Sequence, residues 1–184
     1  MLRLHDEYLY GIAEVSSSWP SATIQSQIIA ARSYAFRKLK AGIRSACACH
    51  IYDDPRDQNF TGYAKLAEKS GTTNFGALWK AAVDATAVSP TQGLALTVNG
   101  QVVSAYYSAA SGGRTQNNED VWGGSALSYT RSVDDPWSLT WASSSVSRWV
   151  PRSFSQAAVA AAFGAPDVVA IDLSDRYPSG AVNN

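Results

Sequence analysis

Asn99-Gly100 stands between Leu94–Val98 and Gln101–Tyr107. An Asn-Gly pair between two apolar-rich runs predicts a two-residue type I′ turn. Both central residues of that turn need positive φ, and its twist matches that of the strands it joins. The chain is therefore expected to form an antiparallel hairpin over 94–107. That hairpin delivers Ser108-Ala-Ala-Ser111-Gly112-Gly113-Arg114-Thr115 at its end. Paired glycines after a strand either make a turn or let the backbone approach a ligand closely.

Helical signals surround the hairpin. Trp19-Pro20 opens a helix predicted over 20–40, with proline suited to the first turn and Ser18 available as a cap. Ile24, Ile28, Ala31, Ala35 and Leu39 recur at spacings of three and four and form one apolar stripe. Arg32 lies beside that stripe. A buried guanidinium needs an anion, a carboxylate or a carbonyl close by, as part of a site or of the framework. A second helix is predicted over 75–87, with Leu78, Ala82 and Ala85 on one side. A third is predicted over 153–163 and ends at Gly164, and a strand over 168–173. Residues 4–12 fit a short helix or strand. The segments 41–73 and 116–150 show little periodicity, and a loop as long as the first is usually functional. The order helix, loop, helix, hairpin, loop, helix, strand predicts an α+β fold rather than a βαβ series. A length of 184 residues suits one domain spanning 1–184.

Charge narrows the function. The chain carries 15 basic and 15 acidic side chains, and no basic block. Arg37-Lys38-Leu39-Lys40 is a helix end, where cations suit the dipole. Nucleic-acid binding normally leaves an electrostatic footprint, and none is present here. No apolar run approaches the roughly 20 residues of a membrane span. Met1 stands just before the first motif and Arg176–Asn184 reads as broken mid-element, so both ends read as trimmed. Six Trp and nine Tyr supply core, or faces on which sugar rings pack.

Glu14 is the first candidate for chemistry. It lies in Tyr8-Leu-Tyr-Gly-Ile-Ala-Glu14-Val-Ser-Ser-Ser-Trp19-Pro20, apolar and aromatic, and the next clear carboxylate downstream is Asp53. A lone acid there either finds a partner or has its pKa raised by desolvation, which suits a general acid. Cys47-Ala-Cys49-His50 holds three soft or borderline ligands, but zinc needs about four, usually from two separated pairs. A disulfide, free thiols and a metal site all stay open for it. No nucleophile elbow, P-loop or dinucleotide fingerprint is present.

Several spaced motifs together resemble the SpoIID/LytB domain family. They are Tyr8-Leu-x-Gly11-Ile-Ala-Glu14-Val, Ser-Ser-Trp19-Pro20, Gln27-Ile-Ile-Ala-Ala-Arg32-Ser-Tyr34-Ala and Tyr52-Asp-Asp54. Further along come Asp57-Gln58-Asn-Phe60-x-Gly62, Tyr107-Ser-Ala-Ala-Ser111-Gly-Gly113-Arg-Thr115, Val121-Trp122, Tyr129-x-Arg131-Ser-Val133-Asp134 and Arg176-x-Pro-Ser179-Gly180. The resemblance covers nearly the whole chain. It implies a mixed α+β fold with helices packed on antiparallel strands and a substrate cleft.

The resemblance also implies an activity. The family includes a lytic transglycosylase that cleaves peptidoglycan glycan strands freed of stem peptides, and an enhancer of a cell-wall amidase. Glycoside hydrolysis normally takes two carboxylates. A lytic transglycosylase takes one, which protonates the leaving oxygen and then accepts the proton of the sugar's own 6-hydroxyl. Glu14 matches the family's catalytic glutamate. Arg32 matches the family's helix arginine, which binds the glycan or holds the glutamate, and Asp57, Gln58, Phe60, Ser111, Gly112, Gly113, Thr115, Tyr129 and Arg131 match glycan-contacting positions. The sequence departs from the family at Ser16, usually proline, and at Gln25, often lysine. It departs again at Phe60 for tyrosine, Arg131 for lysine and Asp57 for histidine. The zinc spacing of some members is not reproduced, so no metal and no cofactor is expected. The implied partners are peptidoglycan glycan strands and, in the alternative reading as a binding module, a cell-wall amidase. The implied setting is the cell envelope or outside the cell, with nothing calling for more than a monomer.

Overall fold

The computed structural model describes residues 1–141 and 150–183. The chain divides into two compact units, Met1–Tyr107 and Ser108–Asn184. The fold is mixed α+β, with helices accompanied by three short antiparallel strand pairs.

The first unit opens with a wide π-type turn at Leu4–Tyr8, in which Tyr8 N–H reaches back to Arg3 O at 2.9 Å. It runs into the single turn α1 (Leu9–Gly11) and, after Pro20, into the long α2 (Ser21–Ala41). Pro20 sits at the helix entrance as expected. Ser18 does not cap the helix, because its hydroxyl pairs with that of Ser16 at 2.8 Å. Gly42, at φ 90°, ends the helix in a conformation that side chains resist. Next come α3 (Tyr63–Leu66), the pair β1 (Lys69–Ser70) and β2 (Thr73–Asn74), and α4 (Phe75–Ala85). Asn74 caps α4 by accepting from Ala77 N at 3.1 Å. Two further pairs close the unit, β3 (Ala87–Ser89) with β4 (Gln92–Gly93) and β5 (Thr97–Val98) with β6 (Gln101–Val102).

One core joins these elements. Leu9, Ile12, Ile24, Ile28, Ala31, Trp79, Ala82 and Val83 are buried together, with Tyr8, Val15, Phe60 and Leu66 packed on them. Full burial of each large aliphatic side chain stabilises by roughly 1.5–3 kcal/mol. The α2 stripe is as predicted through Ala35, but Leu39 is exposed one turn later. In α4 the buried face is Trp79, Ala82 and Val83, while Leu78 and Ala85 face water. Trp79 anchors that rotation, since its indole N–H donates to Leu9 O at 2.9 Å.

The hairpin turn is present, with Asn99 at φ 49° and Gly100 at φ 74°. Its ladder is shorter than predicted, pairing Thr97 with Val102 and Val98 with Gln101. Upstream, the strand's amides are taken elsewhere. Leu94 N–H bonds Thr86 O at 2.9 Å, and Leu96 N–H bonds the Ser33 hydroxyl on α2 at 2.9 Å. The stretch 41–73, predicted irregular, contains α3 and β1.

In the second unit α5 (Asn118–Trp122), α6 (Trp137–Trp141) and α7 (Gln156–Ala162) are short. Ser155 caps α7, and Gly164 at φ 65° follows its end, close to the predicted bounds. The predicted strand 168–173 is not a strand. Val169 and Ile171 are 90% and 65% exposed, and no described segment pairs with them. Residues 142–149 of the tryptophan-rich segment lie outside the described residues. Among the described residues, no helix is long and apolar enough to cross a membrane.

Candidate functional site

Glu14 follows α1 on a segment pinned to residues 59–61. Thr61 N–H bonds Gly11 O at 2.8 Å, Ala13 N–H bonds Asn59 O at 2.9 Å, and the Asn59 side-chain amide bonds Ala13 O at 3.1 Å. Gly11 is required by this pairing. A Cβ there would lie 2.4 Å from the Phe60 ring and 2.7 Å from Gly62 Cα. Phe60 in turn stacks on Tyr8, ring centroids 5.4 Å apart. Its N–H is held by Asp53 Oδ1 at 2.8 Å.

The Glu14 carboxylate is partly exposed, and it finds partners. Oε1 accepts from the Asn59 backbone N–H at 2.7 Å and from the Tyr107 hydroxyl at 3.3 Å. Behind Tyr107 lies Gln58, 1% exposed. Its amide nitrogen donates to the Tyr107 oxygen at 2.8 Å and to Ala31 O at 3.4 Å, and its carbonyl accepts from Tyr8 OH at 2.9 Å. Burial raises the pKa of both tyrosines, and the Glu14 charge raises them further. Both phenols stay protonated at neutral pH.

Three charged residues frame this segment. Asp57, with no side-chain exposure, accepts from Lys38 at 2.7 Å, Arg44 at 2.9 Å, Tyr34 OH at 2.5 Å and Tyr52 N–H at 2.8 Å. Burial pushes its pKa up, but these donors outweigh it and bring it to about 2. Arg32, 5% exposed, donates to Leu94 O at 2.8 Å, Thr86 O at 3.3 Å and Thr86 Oγ1 at 2.8 Å. Carbonyls thus answer its need for partners, and burial lowers its pKa. Lys65, 2% exposed, donates to Val15 O at 2.9 Å beside Glu14 and pairs with Glu68 at 3.1 Å. Its ammonium also lies over the Trp79 ring, 4.5 Å from the centroid. Ser17 OH reaches Glu68 from the other side at 2.5 Å.

Of the predicted positions, Glu14, Asp57, Gln58 and Phe60 share this neighbourhood, while the Arg32 guanidinium is bonded to residues 86 and 94. Sequence reading missed Tyr8, Asn59, Tyr107 and Lys65. Tyr8 and Tyr107 stand inside the quoted motifs, which was their signal. A lone lysine in a polar segment reads as solvated, and Lys65 gave none. The cysteines are joined to each other, with Cα atoms 5.1 Å apart, and Arg44 N–H bonds Cys49 O across that loop.

The other predicted residues lie in the second unit. Ser111 OH donates to Asp135 at 2.7 Å, and Gly113 N–H to the Ser138 hydroxyl at 2.9 Å. Gly112 and Gly113 make a tight turn at φ 77° and 103°, and a Cβ on Gly113 would meet Leu139 at 2.8 Å. The Thr115 hydroxyl accepts from Val133 N–H at 2.9 Å. Arg131 is bidentate on Glu119, and two further donors reach Asn118 Oδ1 and Leu127 O, each at 2.9 Å. That guanidinium holds the Glu119 carboxyl at about 2. Tyr129 is 37% exposed.

Comparison with known proteins places these features in context. The family model described as stage II sporulation protein, SpoIID, matches residues 4–97, which include Glu14, Gln58 and Lys65. The chain is 29% identical to stage II sporulation protein D of Bacillus subtilis (strain 168) over 136 residues, 72% of this chain and 38% of that protein. It is 28% identical to an amidase enhancer of the same organism over 132 residues, 69% of this chain and 16% of that protein. The chain thus spans well under half the length of either relative.

Proposed function

The chain belongs to the SpoIID, stage II sporulation protein, family, and from that premise we propose that it is a peptidoglycan lytic transglycosylase with Glu14 as its single acid/base. The substrate is the glycan strand, and the bond cleaved joins MurNAc to GlcNAc. Glu14 gives its proton to the glycosidic oxygen as that bond breaks. The resulting carboxylate takes the proton of the MurNAc 6-hydroxyl, whose oxygen closes on C1 to form the 1,6-anhydro ring. No water is consumed, and Glu14 ends protonated again.

One observation carries this reading. Glu14 is anchored through Oε1 by two neutral donors, Asn59 N–H and Tyr107 OH. We assign proton transfer to Oε2. Asp57, the neighbouring carboxylate that hydrolysis would recruit, is ionised among Lys38, Arg44 and Tyr34. That favours the one-acid route over two-carboxylate hydrolysis. Arg32, Asp57 and Gln58 act from behind as framework. Phe60, Ser111, Gly112, Gly113, Thr115, Tyr129 and Arg131 are assigned to glycan contact by motif alone, and the setting is the cell envelope.

The test is mass spectrometry of products from denuded strands and intact sacculi, using wild type and Glu14→Gln. Products ending in 1,6-anhydro-MurNAc from wild type alone are expected. Reducing MurNAc ends would mean hydrolysis and refute the proposal. The similarity to an amidase enhancer, nearly equal in identity, favours a second reading as a glycan-binding activator. Retained glycan binding with no cleavage of either substrate would select it.

A further inference from the structure

Gln58 is fixed in orientation by one backbone atom. Its side-chain nitrogen faces Ala31 O, an atom that can only accept. Flipping the amide would set two carbonyl oxygens against each other. The nitrogen therefore points at Ala31 O and at Tyr107, and its second hydrogen goes to the Tyr107 oxygen at 2.8 Å. The amide oxygen is left to accept from Tyr8 OH at 2.9 Å. With its oxygen accepting a hydrogen bond from Gln58, Tyr107 has its own hydrogen to give. That hydrogen goes to Glu14 Oε1. Every bond in the chain Tyr8, Gln58, Tyr107, Glu14 thus runs toward the carboxylate.

We infer that Tyr107, oriented by Gln58 and Tyr8, is a positioning residue whose hydroxyl, beside the Asn59 N–H, holds the Glu14 carboxylate in its charged form. Bonds polarised in one direction strengthen one another. A donor to a carboxylate favours its ionised state. The side-chain nitrogen of Gln27 is buried without a hydrogen-bond partner among the described residues. Other charged and titratable groups frame the site. Asp53 holds Phe60 N–H, Asp57 lies among its cations, and Lys65 is bonded to Val15 O. None of these sits between Tyr107 and Glu14, so deletion of the Tyr107 hydroxyl removes one bond to Glu14 together with the Gln58 bond behind it.

The inference rests on the proposed acid/base role only for its catalytic consequence. Its first test is a carbon-13 NMR titration of the Glu14 carboxyl in wild type and Tyr107→Phe, which needs no activity. Loss of the donor should move the Glu14 midpoint upward by about half to one pH unit. Gln58→Met should move it the same way by a smaller amount, because Tyr107 keeps its hydroxyl but loses the donor that turns its hydrogen toward Glu14. Where glycan cleavage is measurable, the alkaline limb of the kcat/KM profile should rise by the same amount, since the reaction starts from protonated Glu14. A merely structural role would lower kcat without moving either midpoint. An unmoved midpoint in folded Tyr107→Phe, or a downward one in Gln58→Met, would overturn the inference. Shifted midpoints in a protein that cuts no glycan would sink the enzymatic reading and leave this one standing.

Discussion

Lys65 and Glu68 form an ion pair whose members differ in exposure, 2% for the lysine side chain and 39% for the glutamate. That asymmetry decides which deletion costs more. Glu68→Ala leaves a buried ammonium without a counter-charge, supported only by Val15 O and the Trp79 ring. Removing one partner of a buried pair costs about 3–5 kcal/mol, and this pair belongs at the lower end because one member already meets water. It also orphans the hydroxyl of Ser17, which is 1% exposed. An expected loss of about 3 kcal/mol follows. Lys65→Met differs in kind. The unbranched side chain keeps the packing on Trp79, and Glu68 turns to solvent while still accepting from Ser17. The charge-assisted bond to Val15 O, about 1.5–3 kcal/mol, is lost, but so is the several-kcal/mol desolvation of the ammonium. The net loss should be about 1 kcal/mol. For a chain this long, thermal midpoints would fall by about 6–12 °C for Glu68→Ala and about 2–4 °C for Lys65→Met. Thermal and urea unfolding followed by circular dichroism measures both. If Lys65→Met is as destabilising as Glu68→Ala, exposure does not set the balance and the reasoning is wrong.

Two further outcomes follow from neighbouring contacts. The Asp57 carboxyl lies at about 2 against an ordinary 3.8, so its interactions are worth about 2 kcal/mol at neutral pH. A depressed carboxyl stabilises above its unfolded value, so this contribution should fade as pH falls from about 4 to 2, and acid unfolding of Asp57→Asn should lack that component. Gly11→Ala should cost upwards of about 3 kcal/mol, because its Cβ would strike the Phe60 ring and the Gly62 backbone; a thermal midpoint within about 3 °C of wild type would show that residues 59–62 can yield.

The parts legible in the sequence are those decided by local backbone chemistry. Asn99-Gly100 favours its turn through the positive φ both residues tolerate, and Pro20 and Gly164 mark helix limits for similarly local reasons. Rotation of a helix about its own axis is not local. The spacing in α4 suits Leu78 and Ala85 as well as Trp79 and Val83, and the Trp79 indole bond to Leu9 O decides between them. Strand length is not local either, since Ser33 on α2 competes for the amide of Leu96. The candidate site shows the same division. Glu14 was visible as a solitary acid in an apolar motif. Tyr107 is 93 residues away in sequence and meets it only in the fold. Arg32 was legible as a buried cation in need of partners, but which carbonyls it would meet was not.

Proximity alone does not select Glu14 as the residue that moves a proton. Asp57 belongs to the same neighbourhood, and both carboxylates have partners. The partners differ in charge. Asp57 is bonded by two cations, and protonating it would break two ion pairs at once. Glu14 takes its bonds from a backbone amide and a phenol, both neutral dipoles. Protonating it weakens two charge-assisted bonds, about 1.5–3 kcal/mol each at most, and breaks no ion pair. A residue that must act first as acid and then as base needs both protonation states within reach of neutral pH. A cage of cations fixes a single state, whereas neutral donors leave the smaller cost to overcome.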